Sequence, residues 1–136
     1  MQYSEKKQLN ELLEFEMEKL RVLTEKYVDK DQSIRLMEWG YLKQVLGICL
    51  NLLKFVIRLK IAQKRGVYPI GQEPEQITNK GKRSRHYLSL FGLIEFSRPS
   101  FHSPERGMLY VVDEALDMPR GLWSYNLQEL TRIDKN

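Results

Sequence analysis

The sequence predicts an α+β fold, in which an N-terminal antiparallel helical hairpin precedes a small antiparallel β-sheet and a short C-terminal helix. Three observations predict it. Apolar residues recur at helical spacing up to about residue 64, a polar stretch rich in Gly and Pro follows, and short alternating segments come last. At 136 residues the chain is long enough to bury a single core. We expect a helical hairpin over 1–66, a basic linker over 67–86 and a small sheet with a terminal helix over 87–136, as separate parts or as one domain.

The first predicted helix runs from Ser4 to about Asp29, with Ser4 as its N-cap. Its apolar residues return every three or four positions, while glutamates lie on other faces. These apolar residues are Leu9, Leu12, Leu13, Met17, Leu20, Leu23 and Tyr27. Such a stripe at this length favours packing within the chain over a dimer seam.

The second predicted helix runs from Gln32 or Ser33 to Lys64, and Gly66 ends it. Gly40 and Gly47 lower its intrinsic stability, so we expect a kink or a close helix approach there. Its apolar surface exceeds what one partner helix covers. The sequence leaves open whether the rest of the domain or a second copy of the chain covers the remainder.

The most apolar stretch, from Val45 to Ile61, is interrupted by Asn51, Lys54 and Arg58 and is too short for a membrane span. The N-terminal residues lack the apolar core of a secretory signal. The single cysteine, Cys49, excludes an internal disulfide and indicates a small buried residue in a reducing compartment. We therefore expect a cytoplasmic chain with no membrane partner.

Two strands, His86–Phe91 and Leu93–Phe101, are predicted on either side of Gly92, followed by a third strand over Met108–Val112. Residues 113–121 read as a short helical turn or a loop. Ser124 is the expected N-cap of a last helix that ends at Ile133. The aromatic residues Trp39, Trp123 and Tyr125 are expected in the core or in an interface, where aromatic side chains supply much of the buried area.

Positive charge is concentrated in the middle of the chain. Residues 32–86 contain eleven Lys and Arg against three Asp and Glu, whereas the flanking segments are acidic. The densest cluster is Lys80, Lys82, Arg83 and Arg85. A phosphate backbone is one partner for such a cluster, and a solvated basic loop is the alternative.

In its C-terminal half the chain resembles the N-terminal region of DDE-type insertion-sequence transposases of the ISKra and ISLre types. The resemblance covers residues 81–130 and rests on the order of its features: a basic lead-in, a strand ending in Phe-Gly, an Arg-Pro-aromatic strand, a short finger, and a final Leu-Gln-Glu helix. The matching residues are Lys82, Arg83, Arg85, Phe91, Gly92, Arg98, Pro99, Phe101, Asp113, Glu114, Leu116, Pro119, Ser124, Leu127 and Gln128.

The chain departs from that family's pattern in two ways. The zinc-ribbon cysteines are replaced by Ser103 and Arg106, and Cys49, His86 and His102 lie in separate segments. A structural zinc site normally needs four such ligands, so we expect no metal and no cofactor. The finger must then be held by its turn and by packing of Phe101, Leu109 and Tyr110. The resemblance also implies a catalytic domain downstream of residue 136, and we expect a module that is present without it.

No enzyme is expected. Two-metal phosphoryl chemistry needs carboxylates that converge on paired ions, and the candidates are spread over a strand and a turn. These are Glu95, Asp113, Glu114 and Asp117. Asp113 and Glu114 are better explained as charges at the start of a helical turn.

The sequence therefore predicts a non-catalytic, DNA-binding N-terminal module derived from a transposase. Its partners would be double-stranded DNA and, as an open option, a second copy or a full-length transposase. The expected contact residues are Lys60, Lys64, Arg65, Lys80, Lys82, Arg83, Arg85 and Arg98. Two alternatives stay open: a protein-interaction module that uses the apolar second helix, and a subunit of a nucleoprotein complex.

Overall fold

A computed structural model describes residues 1–69 and 76–133 and shows the expected α+β arrangement. Two long helices come first, α1 (Tyr3–Asp29) and α2 (Ile34–Gln63). Three strands and two short helices follow. They are β1 (Thr78–Ser89), β2 (Gly92–Ser103), β3 (Gly107–Leu109), α3 (Val111–Ala115) and α4 (Tyr125–Ile133). The chain forms two compact units, Met1–Phe55 and Val56–Asn136.

In the first unit, α1 and the first part of α2 form the predicted antiparallel hairpin. The Tyr27 and Tyr41 rings meet edge to face near the connecting turn, with centroids 5.3 Å apart. Farther from the turn, the Asn51 amide donates a hydrogen bond to Glu16 (Nδ2 to Oε1, 2.7 Å). At the start of α2, the Ser33 hydroxyl oxygen accepts a hydrogen bond from the Leu36 backbone N–H. The prediction of Ser4 as the N-cap of α1 is wrong: Gln2 is the N-cap, and its backbone N–H donates to the Glu5 carboxylate (3.2 Å).

The close approach expected at Gly40 is confirmed. A Cβ atom added to this glycine would lie 1.8 Å from the Tyr27 hydroxyl oxygen, so any other residue would force the tyrosine to shift. Gly47 differs, because a Cβ atom there would meet nothing within 4 Å. Packing therefore disfavours a side chain at Gly40 and leaves room for one at Gly47.

In the second unit, the strands form an antiparallel sheet in the order β1-β2-β3. The two-residue turn Leu90–Phe91 joins β1 to β2, and Ser89 pairs with Gly92. The buried apolar residues of this unit include Ile94, Phe101, Leu109 and Val112. Phe101 is the register partner of Leu109, as expected for a finger held by packing.

Two sequence predictions fail in this unit. The basic segment 78–86 is strand and not linker, since β1 begins at Thr78; the rest of the predicted loop at 70–75 lies outside the described residues. The predicted strand Met108–Val112 ends at Leu109, and the chain turns into α3 at Val111. In both places the contacts of the surrounding fold outweigh local propensity.

A bulge in β1 explains how the basic segment enters the sheet. Asn79 pairs with Phe101 and Lys82 pairs with Pro99, so Lys80 and Gly81 stand opposite Ser100 alone. Gly81 has a φ of 75°, the left-handed conformation that glycine adopts without strain. The Asn79 side chain accepts the Gly81 N–H (2.8 Å), and the buried Ser100 hydroxyl donates to the Gly81 carbonyl (2.9 Å).

The three aromatic residues expected in the core or an interface are exposed in the monomer. Trp39 is 61% exposed, Trp123 46% and Tyr125 54%. None of them therefore belongs to the core, and an interface role stays a prediction. Cys49 is half-buried.

Candidate nucleic-acid interface

Two arginines of the predicted contact set converge on one carboxylate. Arg85 lies on β1, Arg98 on β2 and Asp113 in the first turn of α3. Arg85 donates from Nη1 to Asp113 Oδ2 (2.8 Å). Arg98 donates from Nε to Oδ1 (3.1 Å) and from Nη2 to Oδ2 (3.0 Å), the two-pronged geometry that planar guanidinium groups prefer.

Both arginines also donate hydrogen bonds to backbone carbonyl oxygens. Arg98 Nη1 donates to the carbonyl oxygens of Arg83 (3.1 Å) and Ser84 (3.3 Å). Its guanidinium carbon lies 3.7 Å from the centroid of the Tyr110 ring, a cation–π contact. Arg85 Nη2 donates to the carbonyl oxygens of Pro119 and Gly121.

This cluster changes the role of two predicted contact residues. The Arg98 side chain is 6% exposed and the Arg85 side chain 10% exposed, and their hydrogen bonds fasten β1, β2, α3 and the loop before α4 to one another. Their geometry is that of structural residues. Asp113, read from the sequence as a helix-start charge, is also the acceptor that holds them.

The other cations of β1 are exposed. Lys80, Lys82 and Arg83 all lie within residues 78–84, every one of which is exposed. Lys82 pairs with Pro99 and Arg83 with Arg98, so their side chains lie on opposite faces of the sheet. Because β1 is at the edge of the sheet, these cations also disfavour pairing with a further strand.

A groove of about 1100 Å³ lies on the face that carries Arg83. Arg106, from the β2–β3 turn, and Arg120, from the loop before α4, line it together with Arg83. Arg106 also pairs with Glu114, at 3.6 Å from Nη2 to Oε1. Arg106 and Arg120 are not among the contact residues predicted from the sequence, because no charge cluster marks either one.

The turn of the finger has a polar anchor where the resembling family has a cysteine. Ser103 is 1% exposed, and its hydroxyl oxygen accepts the amide N–H groups of Glu105 (3.3 Å) and Arg106 (3.4 Å). Within residues 1–69 and 76–133, no group of three or more His, Cys, Asp or Glu side chains is placed to hold a metal ion.

Lys60, Lys64 and Arg65 lie at the C-terminal end of α2 and just beyond it. Lys60 and Lys64 are half-buried and Arg65 is exposed. No helix in the described part of the chain is long and apolar enough to cross a membrane.

Comparison with models of protein families, with curated proteins and with solved structures finds no match to this chain.

Proposed function

We propose that this chain is a non-catalytic module that binds double-stranded DNA through its phosphates, using the exposed cations of β1. The observation that carries the proposal is the placement of Lys80, Lys82 and Arg83, three exposed cations within four residues at a sheet edge. When such side chains bind phosphates, the counterions condensed on the DNA are released. This release supplies binding affinity that does not depend on the base sequence.

The alternation of side chains along β1 gives this segment two cationic faces. Lys82 and Arg83 project to opposite sides of a two-stranded ribbon, the kind of element that enters a DNA groove and contacts the phosphates on both walls. Arg120 and Arg106 extend the positive charge on the groove side. Arg85 and Arg98 support the site by holding the ribbon to α3, and we do not assign them to phosphates.

The carboxylates support a non-catalytic module. Asp113 already accepts hydrogen bonds from two arginines, which leaves it a poor ligand for a divalent ion. Glu95 pairs with His86 on the sheet face opposite Arg85 and Arg98, away from Asp113. The derivation from a transposase is part of the proposal and rests on the sequence resemblance alone.

The test is fluorescence anisotropy with a duplex of about 20 base pairs over a salt series. The logarithm of the affinity should fall linearly with the logarithm of salt concentration. The combined variant Lys80→Ala, Lys82→Ala, Arg83→Ala should bind at least tenfold more weakly, and its slope should be smaller by about 2 to 3.

A charge-matched control removes three cations from the first unit, by Lys6→Ala, Lys7→Ala and Lys30→Ala. These lysines are exposed, and the control should keep the wild-type slope. If both variants lose affinity equally, net charge alone drives binding and β1 is not the contact. If the wild-type protein does not bind at low salt, the proposal is wrong.

A further inference from the structure

The helical hairpin of the first unit has almost no core of its own. Of residues 1–55, all of which the structure describes, only Glu16 and Phe55 are buried. Large apolar side chains instead face solvent on both helices: Leu13, Phe15, Met17, Val22, Val28, Ile34, Leu36, Trp39, Leu42 and Val45. Two helices alone cover one face of each other, and helical folds that bury a full core use more than two.

One face of α2 is accounted for by α1. Tyr41 hydrogen-bonds Thr24 (2.7 Å between hydroxyl oxygens), and Asn51 hydrogen-bonds Glu16. Gln44, between them on the same face, lines a groove with residues of α1. At 3.6 residues per turn, Gln44 and Asn51 lie on a common line along the helix.

The opposite face of α2 carries a second apolar stripe, which we call the α2 seam: Trp39, Leu42, Leu46, Cys49 and Leu53. Their spacing alternates three and four residues, the heptad pattern of a coiled-coil seam. Trp39 is 61% exposed and Leu42 47% exposed, and the other three are half-buried. In heptad terms Trp39, Leu46 and Leu53 are a positions, and Leu42 and Cys49 are d positions.

The charges beside the seam indicate its occupant. Glu38 is a g position and Lys43, five residues later, is the following e position. In a parallel pair of helices, g of one chain meets the following e of the other, so Glu38 would face the Lys43 of a second copy, twice by symmetry. An antiparallel pair sets e beside e and g beside g, and forms neither contact. Both residues are exposed.

We propose that the chain forms a homodimer in which two α2 seams pack in parallel and in register. Partly exposed apolar side chains over two heptads supply the contact, and the Glu38–Lys43 pairs select the parallel orientation. The inference does not depend on DNA binding, because none of its residues belongs to the β1 site.

Cys49 makes the arrangement directly testable, since it is the single cysteine of the chain and occupies a d position. In a parallel, in-register pair the two d side chains lie side by side across the two-fold axis. A short bis-maleimide adds one thiol at each end without an oxidant, so it should convert the protein at micromolar concentration into a covalent dimer without DNA.

Matched cysteine positions show whether the seam is responsible. In a Cys49→Ser background, Leu42→Cys should restore the covalent dimer, because it is the neighbouring d position. Asn10→Cys, exposed on α1, should not restore it. Equal cross-linking at both positions would indicate random collision and overturn the seam.

Light scattering of the unmodified protein supplies the second measurement. Leu42→Glu should convert the dimer to monomer, whereas Met17→Glu, at an apolar position on α1 that is 62% exposed against 47% for Leu42, should not. Glu38→Lys alone should weaken the dimer by roughly threefold to tenfold, and adding Lys43→Glu should restore it. A monomeric wild-type protein, or a dimer that Cys49 does not cross-link, would overturn the proposal.

Discussion

Arg98 donates two parallel hydrogen bonds to the Asp113 carboxylate, and its guanidinium carbon lies 3.7 Å from the centroid of the Tyr110 ring. Three parts of the fold meet at this contact. Arg98 lies on β2, Asp113 lies on α3, and Tyr110 is the residue that connects β3 to α3. Arg85 brings in β1 through the same carboxylate. The second unit is thus held by a buried ionic cluster as well as by its apolar core.

Removing the charge of Asp113 should be strongly destabilising. Asp113→Asn leaves two nearly buried arginines without their carboxylate, and losing one partner of such a group costs about 3 to 5 kcal/mol. Urea unfolding should show this loss. The control is Glu114→Gln, whose exposed pairing with Arg106 should contribute no more than about 0.5 kcal/mol. Equal effects of the two variants would contradict a structural role for the cluster.

The two glycines of α2 should respond in opposite directions to alanine. Gly40→Ala places a Cβ atom against the Tyr27 hydroxyl and should destabilise the hairpin by about 1 to 3 kcal/mol. Gly47→Ala meets open space and should stabilise the helix by up to about 1 kcal/mol. Thermal unfolding by circular dichroism measures both. A stabilising Gly40→Ala would show that the tyrosine moves away at no cost.

The bulge in β1 should depend on the backbone of Gly81. Gly81→Ala meets no neighbouring atom, but its φ of 75° strains any residue with a Cβ, at a cost of about 1 to 2 kcal/mol. Gly121→Ala, also in open space, serves as the control and should be close to neutral. Stability in urea is the measurement. An unchanged Gly81→Ala variant would mean that the bulge can relocate along the strand.

The exposed carboxyl group of Glu18 should titrate at a lower pH than an ordinary glutamate does. A hydrogen bond from Arg21 lowers the pKa of Glu18 below its ordinary value of 4.5. Because the folded pKa is lowered, the associated stabilisation is present above the ordinary pKa and is lost as the pH falls through the lowered one. Titration followed by NMR should show this shift, and Arg21→Gln should return the Glu18 pKa towards 4.5 while Lys6→Gln leaves it unchanged. A Glu18 pKa at 4.5 in the wild-type protein would refute the contact.

Local patterns predicted the helices well. The spacing of Leu9, Leu12 and Leu20 defines α1 within one residue at each end, and Gly66 follows the end of α2 as expected. The hairpin of β1 and β2 was also visible, since His86–Phe91 and Leu93–Phe101 alternate around Gly92. Such signals lie within a few residues of one another, so they can be read without the fold.

The parts that were missed depend on distant residues. The first half of β1 was read as linker because residues 78–84 are exposed on both faces and show no alternation. Asp113 lies 15 residues from Arg98 and 28 from Arg85, and no local pattern joins them. For the same reason Arg85 and Arg98 were predicted as DNA contacts on the surface, because the sequence does not show that both lie beside Asp113.

The contact between Glu16 and Asn51 has a consequence for how α1 and α2 align. Glu16 is 1% exposed, and its Oε1 atom accepts the Asn51 amide. Sliding α1 by one helical turn, about 5.4 Å, would carry the Glu16 carboxyl group away from the Asn51 amide and break this hydrogen bond, although Lys19, which pairs with the same oxygen at 3.5 Å, would move with α1. Leucine-rich helices otherwise tolerate such slippage, because one apolar contact replaces another. The hydrogen bond between Glu16 and Asn51 therefore favours a single register of the two helices, in which the Tyr27 hydroxyl lies over Gly40.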